Sequence, residues 1–167
     1  GAAPHYYVKD DTELTAVLAL GSATLSGKTI AMSGSFGTRT ITSLFPTTTV
    51  KFVALNSAVP PVWDRLSLAS TGNIRFENIK FVSGAWSNGG QGPLTYSSGT
   101  YGAHYYYGCT FKGGYGGPSS VGNVWDNNYD CTILYPEYAA IAPVFNDSGA
   151  VVSLDIKRNN VAGLMSD

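Results

Sequence analysis

The chain is short of charge. Asp, Glu, Lys and Arg make up 13% of its 167 residues, about half the roughly 25% usual in globular domains. Ten basic residues against eleven acidic ones leave a formal net charge of −1. The basic residues are also scattered: Lys9, Lys28, Arg39, Lys51, Arg65 and Arg75 stand singly, and only Lys157 and Arg158 are adjacent. No basic field exists to collect phosphates, which argues against nucleic acid or an anionic membrane as partner. No apolar run reaches the 18 or so residues of a membrane span, and the start Gly1-Ala2-Ala3-Pro4 does not read as a secretion signal. Two cysteines, Cys109 and Cys131, are too few for a disulfide scaffold or a structural zinc site, and their redox state stays open. His5 and His104 have no ligand spacing around them, so neither metal nor cofactor is expected.

What fills the space is Gly, Ser, Thr, Asn and Tyr, in a chain long enough for one domain with a real core. Near the start, Asp10-Asp11-Thr12-Glu13 offers an Asp N-cap with Glu three residues on, an acidic form of the capping box. Leu14, Val17 and Leu18 then form one apolar stripe, and Gly21 is a natural stop. This predicts a helix over about 11–20. Beyond it the apolar period falls from 3.6 to 2. Short strand-like runs follow at Thr24-Leu25, 28–32, 39–42, 49–55, 66–68, 73–76, 78–82, 104–111, 124–125, 131–134 and 151–156, each closed by turn-forming residues.

A β-sandwich would give similar statistics, so repetition must decide. Five segments share an apolar–polar–apolar pattern: Val50-Lys51-Phe52-Val53, Ile79-Lys80-Phe81-Val82, Cys109-Thr110-Phe111-Lys112, Cys131-Thr132-Ile133-Leu134 and Leu154-Asp155-Ile156-Lys157. Their third residues are 29, 30, 22 and 23 positions apart. That is about one solenoid coil per step, with loops of unequal length between strands that stay in register. Cys109 and Cys131 then occupy equivalent places on adjacent coils, about 4.8 Å apart.

These features resemble right-handed parallel β-helix proteins, the pectate-lyase-like superfamily and phage tailspikes among them. The resemblance rests on Asp10-Asp11-Thr12 opening a helix, and on Gly27, Ile30, Met32, Gly34 and Phe36, with Met32 a departure from the usual Leu. It also rests on Asn73-Ile74-Arg75-Phe76-Glu77-Asn78-Ile79-Lys80-Phe81 and on the turn Arg158-Asn159-Asn160. It implies an all-β, right-handed parallel β-helix with a short N-terminal capping α-helix: one domain over 1–167, with coils over about 22–165. The helix covers the first coil, while the last has no such cover, so either the chain is a piece of a longer protein or another subunit closes it. A homotrimer is the assembly that tailspikes suggest.

Function is written less clearly. Between Trp86 and Tyr138, aromatic residues alternate with Gly, Ser and Asn. Tyr and Trp pair an apolar face with a polar handle, which suits the C–H faces and hydroxyl edges of sugars. Trp86, Tyr101, Tyr106, Tyr115, Trp125 and Tyr129 are therefore candidate glycan contacts, against the alternative that they pack the core or a subunit contact. Alternation within Tyr105-Tyr106-Tyr107 sends at least one of the three inward. Asp126, Asp130, Glu137 and His104 are the candidate acid–base groups for a lyase or glycoside hydrolase, against a role as turn-formers. The expected function is a tailspike-like or adhesin-like module at an extracellular or virion surface that recognises a host polysaccharide. A polysaccharide depolymerase and a structural shaft are the rivals. An ice-binding face on Thr38, Thr40, Thr42, Thr47, Thr48 and Thr49 lacks the coil-to-coil regularity it would need.

Overall fold

A computed structural model describes residues 3–82, 94–96, 102–112, 124–125, 131–134, 153–154 and 160–162, with side chains for 3–82, 94 and 102–110. In chain order, strand β1 (Tyr6–Val8) is followed by helices α1 (Asp11–Leu18) and α2 (Gly21–Leu25). A first round of strands is β2 (Thr29–Met32), β3 (Ser35–Phe36) and β4 (Arg39–Leu44). A second is β5 (Val50–Ala54), β6 (Val62–Asp64) and β7 (Leu66–Thr71), and a third is β8 (Ile74–Glu77), β9 (Lys80–Val82) and β10 (Leu94–Tyr96). Then come β11 (His104–Tyr107), β12 (Cys109–Lys112), β13 (Val124–Trp125), β14 (Cys131–Leu134), β15 (Ser153–Leu154) and β16 (Asn160–Ala162).

The strands form three sheets, ordered β1-β2-β5-β8-β11-β13-β15, β3-β6-β9-β12-β14-β16 and β4-β7-β10, hereafter A, B and C. Every strand pairing among the described residues is parallel. For three rounds the chain visits A, B and C in turn, and each visit lays a strand beside that of the round before.

Three corners between sheets A and B are tight because the backbone turns left-handed there, whereas the second round takes the longer path 55–61. Gly34, Asn78 and Gly108 have φ of 84°, 55° and 59°, a region that Gly enters freely and Asn tolerates. At Gly108 space imposes the same choice, since a Cβ there would lie 2.4 Å from the side-chain oxygen of Asn78. The run 104–111, which reads as one strand in sequence, is therefore two: β11 in sheet A and β12 in sheet B.

Inward residues stack from round to round. Ile30, Phe52, Phe76 and Tyr106 are successive register partners in sheet A, 22, 24 and 30 residues apart. The Phe52 and Phe76 rings lie 5.4 Å apart at 19°, and those of Phe76 and Tyr106 lie 5.4 Å apart at 8°. Sheet B answers with Phe36, Trp63 and Phe81, and Phe81 meets Phe76 edge-on at 5.3 Å. All seven side chains are buried in one core.

The repeat needs correcting against this register. Phe81, Phe111 and Ile133 are partners in sheet B, with Cys109 opposite Cys131. Phe52 belongs instead to sheet A, as does Leu154, whose partner is Trp125. Sheets A and B both bury alternate residues, so the same pattern occurs twice per round, and a comparison of patterns alone mixes the two. Ile156 lies outside the described residues.

At the amino-terminal edge, Asp10 caps α1, its carboxylate accepting from Glu13 N at 2.9 Å, and the Glu13 carboxylate accepts from Lys9 N at 2.9 Å. The helix ends at Leu18, and Gly21, at φ 81°, opens α2. Thr24 and Leu25 are thus helical rather than extended, because this extra turn carries Leu25 fully into the core. Among the described residues no strand precedes β3 or β4 in their sheets, and exposed strand edges invite further pairing. The helical segment supplies bonds there instead. Asp11 Oδ2 accepts from Gly37 N at 2.9 Å, Ser22 Oγ from Phe45 N at 2.9 Å, and Ser26 Oγ from Thr48 N at 2.8 Å. Arg39 Nη2 donates to Thr15 Oγ1 at 2.7 Å.

Leu14 is fully buried, whereas Leu18 is only half-buried. Leu14→Ala should therefore cost about 2–5 kcal/mol, and Leu18→Ala clearly less, in urea denaturation. Equal losses would contradict this placement of α1.

Candidate functional site

Sheet A has an inner and an outer face, and alternation assigns each residue to one of them. With Val50, Phe52, Ile74, Phe76, His104 and Tyr106 buried, the intervening residues of β5, β8 and β11 face outward. Two outward rows result from the parallel register: Lys51, Arg75 and Tyr105, and beside it Val53, Glu77 and Tyr107. Thr49, Lys51, Arg75, Tyr105 and Tyr107 line a shallow groove of about 320 Å³.

Arg75 organises this groove. Its Nε donates to Glu77 Oε1 at 2.8 Å, and its Nη2 lies 2.5 Å from the same oxygen. Its guanidinium carbon stands 3.8 Å from the Tyr107 ring centroid, within cation–π range. Residues i and i+2 on one strand share a face, which brings Arg75 and Glu77 together. Tyr107 follows because it is the register partner of Glu77 on the next strand.

The expected site residues divide sharply. Tyr106 is a core residue, 1% exposed and stacked on Phe76, so it is no glycan contact; Tyr105 and Tyr107 take the outer face instead. His104 is also inside, fully buried, its Nε2 at 2.9 Å from both Gly72 O and Thr71 Oγ1. Burial drives its pKa down to about 4 against the opposing pull of those bonds with Gly72 and Thr71. The imidazole is thus neutral at physiological pH and shielded from substrate, a packing residue rather than an acid–base catalyst. Trp125 lies in β13 as the register partner of His104 and Leu154. Trp86, Tyr101, Tyr115, Tyr129, Asp126, Asp130 and Glu137 lie outside the described residues.

Cys109 is a buried, free thiol whose sulfur is 3.5 Å from Phe76 O and 3.6 Å from Tyr107 O. Burial pushes its pKa up to about 12, so it is protonated and unreactive. Among the described residues, no three His, Cys, Asp or Glu gather as a metal ligand set, and no helix is long and apolar enough to cross a membrane. A second depression, of about 410 Å³, lies between the helices and β4, but its cation Arg39 is already bonded to Asp11 and Thr15.

Sequence reasoning missed Lys51 and Arg75 as site residues. The signal was present in their alternation with Phe52 and Phe76, but only the round length brings the two onto neighbouring strands.

Compared with known proteins, the chain matches no protein-family model, no curated protein and no solved structure.

Two outcomes follow from the buried groups. Below pH 6.5 the unfolded chain takes up a proton at His104 that the folded chain refuses until about pH 4. Stability should fall as pH falls through that window, by roughly 3 kcal/mol at its lower end. His104→Gln should remove that part of the slope in urea titrations at pH 7 and pH 4.5, and an unchanged slope would contradict the assignment. The denatured, unreduced chain should show two titratable thiols, with Cys109 resisting thiol reagents until the chain unfolds.

Proposed function

We propose that the chain is a right-handed parallel β-helix that recognises a surface polysaccharide, as a module of a tailspike-like or adhesin-like protein at an extracellular or virion surface. The all-parallel pairing and the repeated order A, B, C support the solenoid reading. Right-handedness follows from the strong bias of parallel crossover connections. Homotrimeric assembly belongs to the same proposal.

One observation carries the functional reading: Tyr105 and Tyr107 face outward beside Lys51, Arg75 and Thr49 in one open groove. Aromatic faces ringed by hydroxyl and cationic donors suit an extended sugar chain, whose rings offer apolar C–H faces between hydroxyl edges. A shallow groove along the sheet also suits a polymer that enters sideways better than an enclosed pocket would. The depolymerase reading loses His104, which is buried and packed, while its carboxylate candidates Asp126, Asp130 and Glu137 lie outside the described residues.

The test is retention of the purified chain on immobilised capsular or lipopolysaccharide material, with new reducing or unsaturated ends assayed in parallel. Tyr105→Ala should weaken retention at least about fivefold, with the fold intact and no new ends formed. Retention unaffected by Tyr105→Ala and Tyr107→Ala would overturn this site. New chain ends would make the protein a depolymerase.

A further inference from the structure

We infer that the groove on the outer face of sheet A takes an acidic glycan, one that carries carboxylates on its sugar rings. The inference rests on the glycan-binding reading above and narrows it to a substrate class.

Its basis is a charge arrangement that folding alone does not favour. Lys51 and Arg75 are direct register partners on adjacent parallel strands, both on the outer face. Like charges placed directly across a strand pair are destabilising. In a chain with only ten basic residues, this pairing is conspicuous. Glu77 offsets one of the two charges, using a single oxygen for both Nε and Nη2 of Arg75. Lys51 forms none of the ion pairs found among the described residues, and its side chain is exposed. Among the described residues the groove lining brings an ammonium, a guanidinium and the hydroxyls of Thr49, Tyr105 and Tyr107, with the Glu77 carboxylate set against the guanidinium.

A ligand that satisfies this set has an anionic oxygen for Lys51 and Arg75, hydroxyls for Thr49 and the tyrosines, and an apolar ring face for Tyr105. A uronate-type sugar has all three. A nucleic acid fits worse, because its phosphates follow one another closely and its affinity grows with the number of cations engaged. One uncompensated cation, Lys51, beside an Arg75 already held by Glu77, on a chain of net charge −1, matches widely spaced carboxylates.

The experiment measures retention of the full chain on polygalacturonate, alginate and hyaluronate, each beside the same polymer with its carboxyls methyl-esterified. Sulphated dextran and a single-stranded oligonucleotide serve as other polyanions. Binding to at least one native polymer is expected, with about tenfold loss on esterification and about tenfold loss in Lys51→Gln. Arg75→Gln should lose as much. Strong binding to the esterified polymers that is lost in Tyr105→Ala would overturn the acidic-glycan inference and leave the glycan site standing. Equal binding of sulphated dextran or the oligonucleotide would overturn it in favour of unselective anion capture. Failure to bind any polymer, charged or esterified, would overturn both the inference and the reading beneath it. Circular dichroism of each variant separates lost binding from lost fold.

Discussion

Parallel, in-register pairing between one round of chain and the next is the constraint on which the rest depends. Because side chains alternate with period two, one register places Ile30, Phe52, Phe76 and Tyr106 in an inward stack and Lys51, Arg75 and Tyr105 in an outward row. A slip of one residue would bury the charges and expose the aromatic rings. The ring stack of Phe52, Phe76 and Tyr106, met edge-on by Phe81 and backed by Trp63, makes such a slip costly. The core therefore fixes the outer face on which the groove lies, with Tyr107 partly packed against that core.

The corners act in the same direction. Left-handed backbone at Asn78 and Gly108 turns the chain from sheet A to sheet B within two residues and one residue respectively, so at these corners the end of an A strand determines the phase of the B strand after it. Ser43 and Ser70, at φ 58° and 57°, repeat such a bend one round apart in sheet C. Gly102 belongs to the same economy of space. A Cβ there would come within 2.4 Å of Asn73 Oδ1, the atom that accepts from Ala103 N at 2.8 Å just ahead of β11. With these points fixed, unequal loops between them leave the alignment of strands undisturbed.

Much of this was legible in the sequence, for definable reasons. The Asp10 cap and the Leu14 stripe are local signals, and they gave the helix to within two residues at its far end. The register of Phe81, Phe111 and Ile133, with Cys109 opposite Cys131, followed from the pattern because those segments share one sheet. Phe52 and Leu154 were misplaced because two sheets carry the same apolar–polar–apolar signature. Strands as short as Ser35–Phe36 and Val62–Asp64 have too few residues to display a period at all. The site was harder still. Tyr105, Tyr106 and Tyr107 are chemically alike, and only their phase against Phe76 tells the packed ring from the two outward ones. Lys51 and Arg75 are 24 residues apart and meet only through the pairing of β5 with β8.

The central claim, that this outward row forms a binding surface, is tested most directly by following backbone amide NMR signals while a uronate oligosaccharide is added. The account predicts shifts concentrated at Thr49, Lys51, Arg75, Tyr105 and Tyr107, with little change at Leu14, Ser22 or Thr42 beside the helices. Shifts concentrated away from sheet A, with the groove amides unmoved, would contradict it.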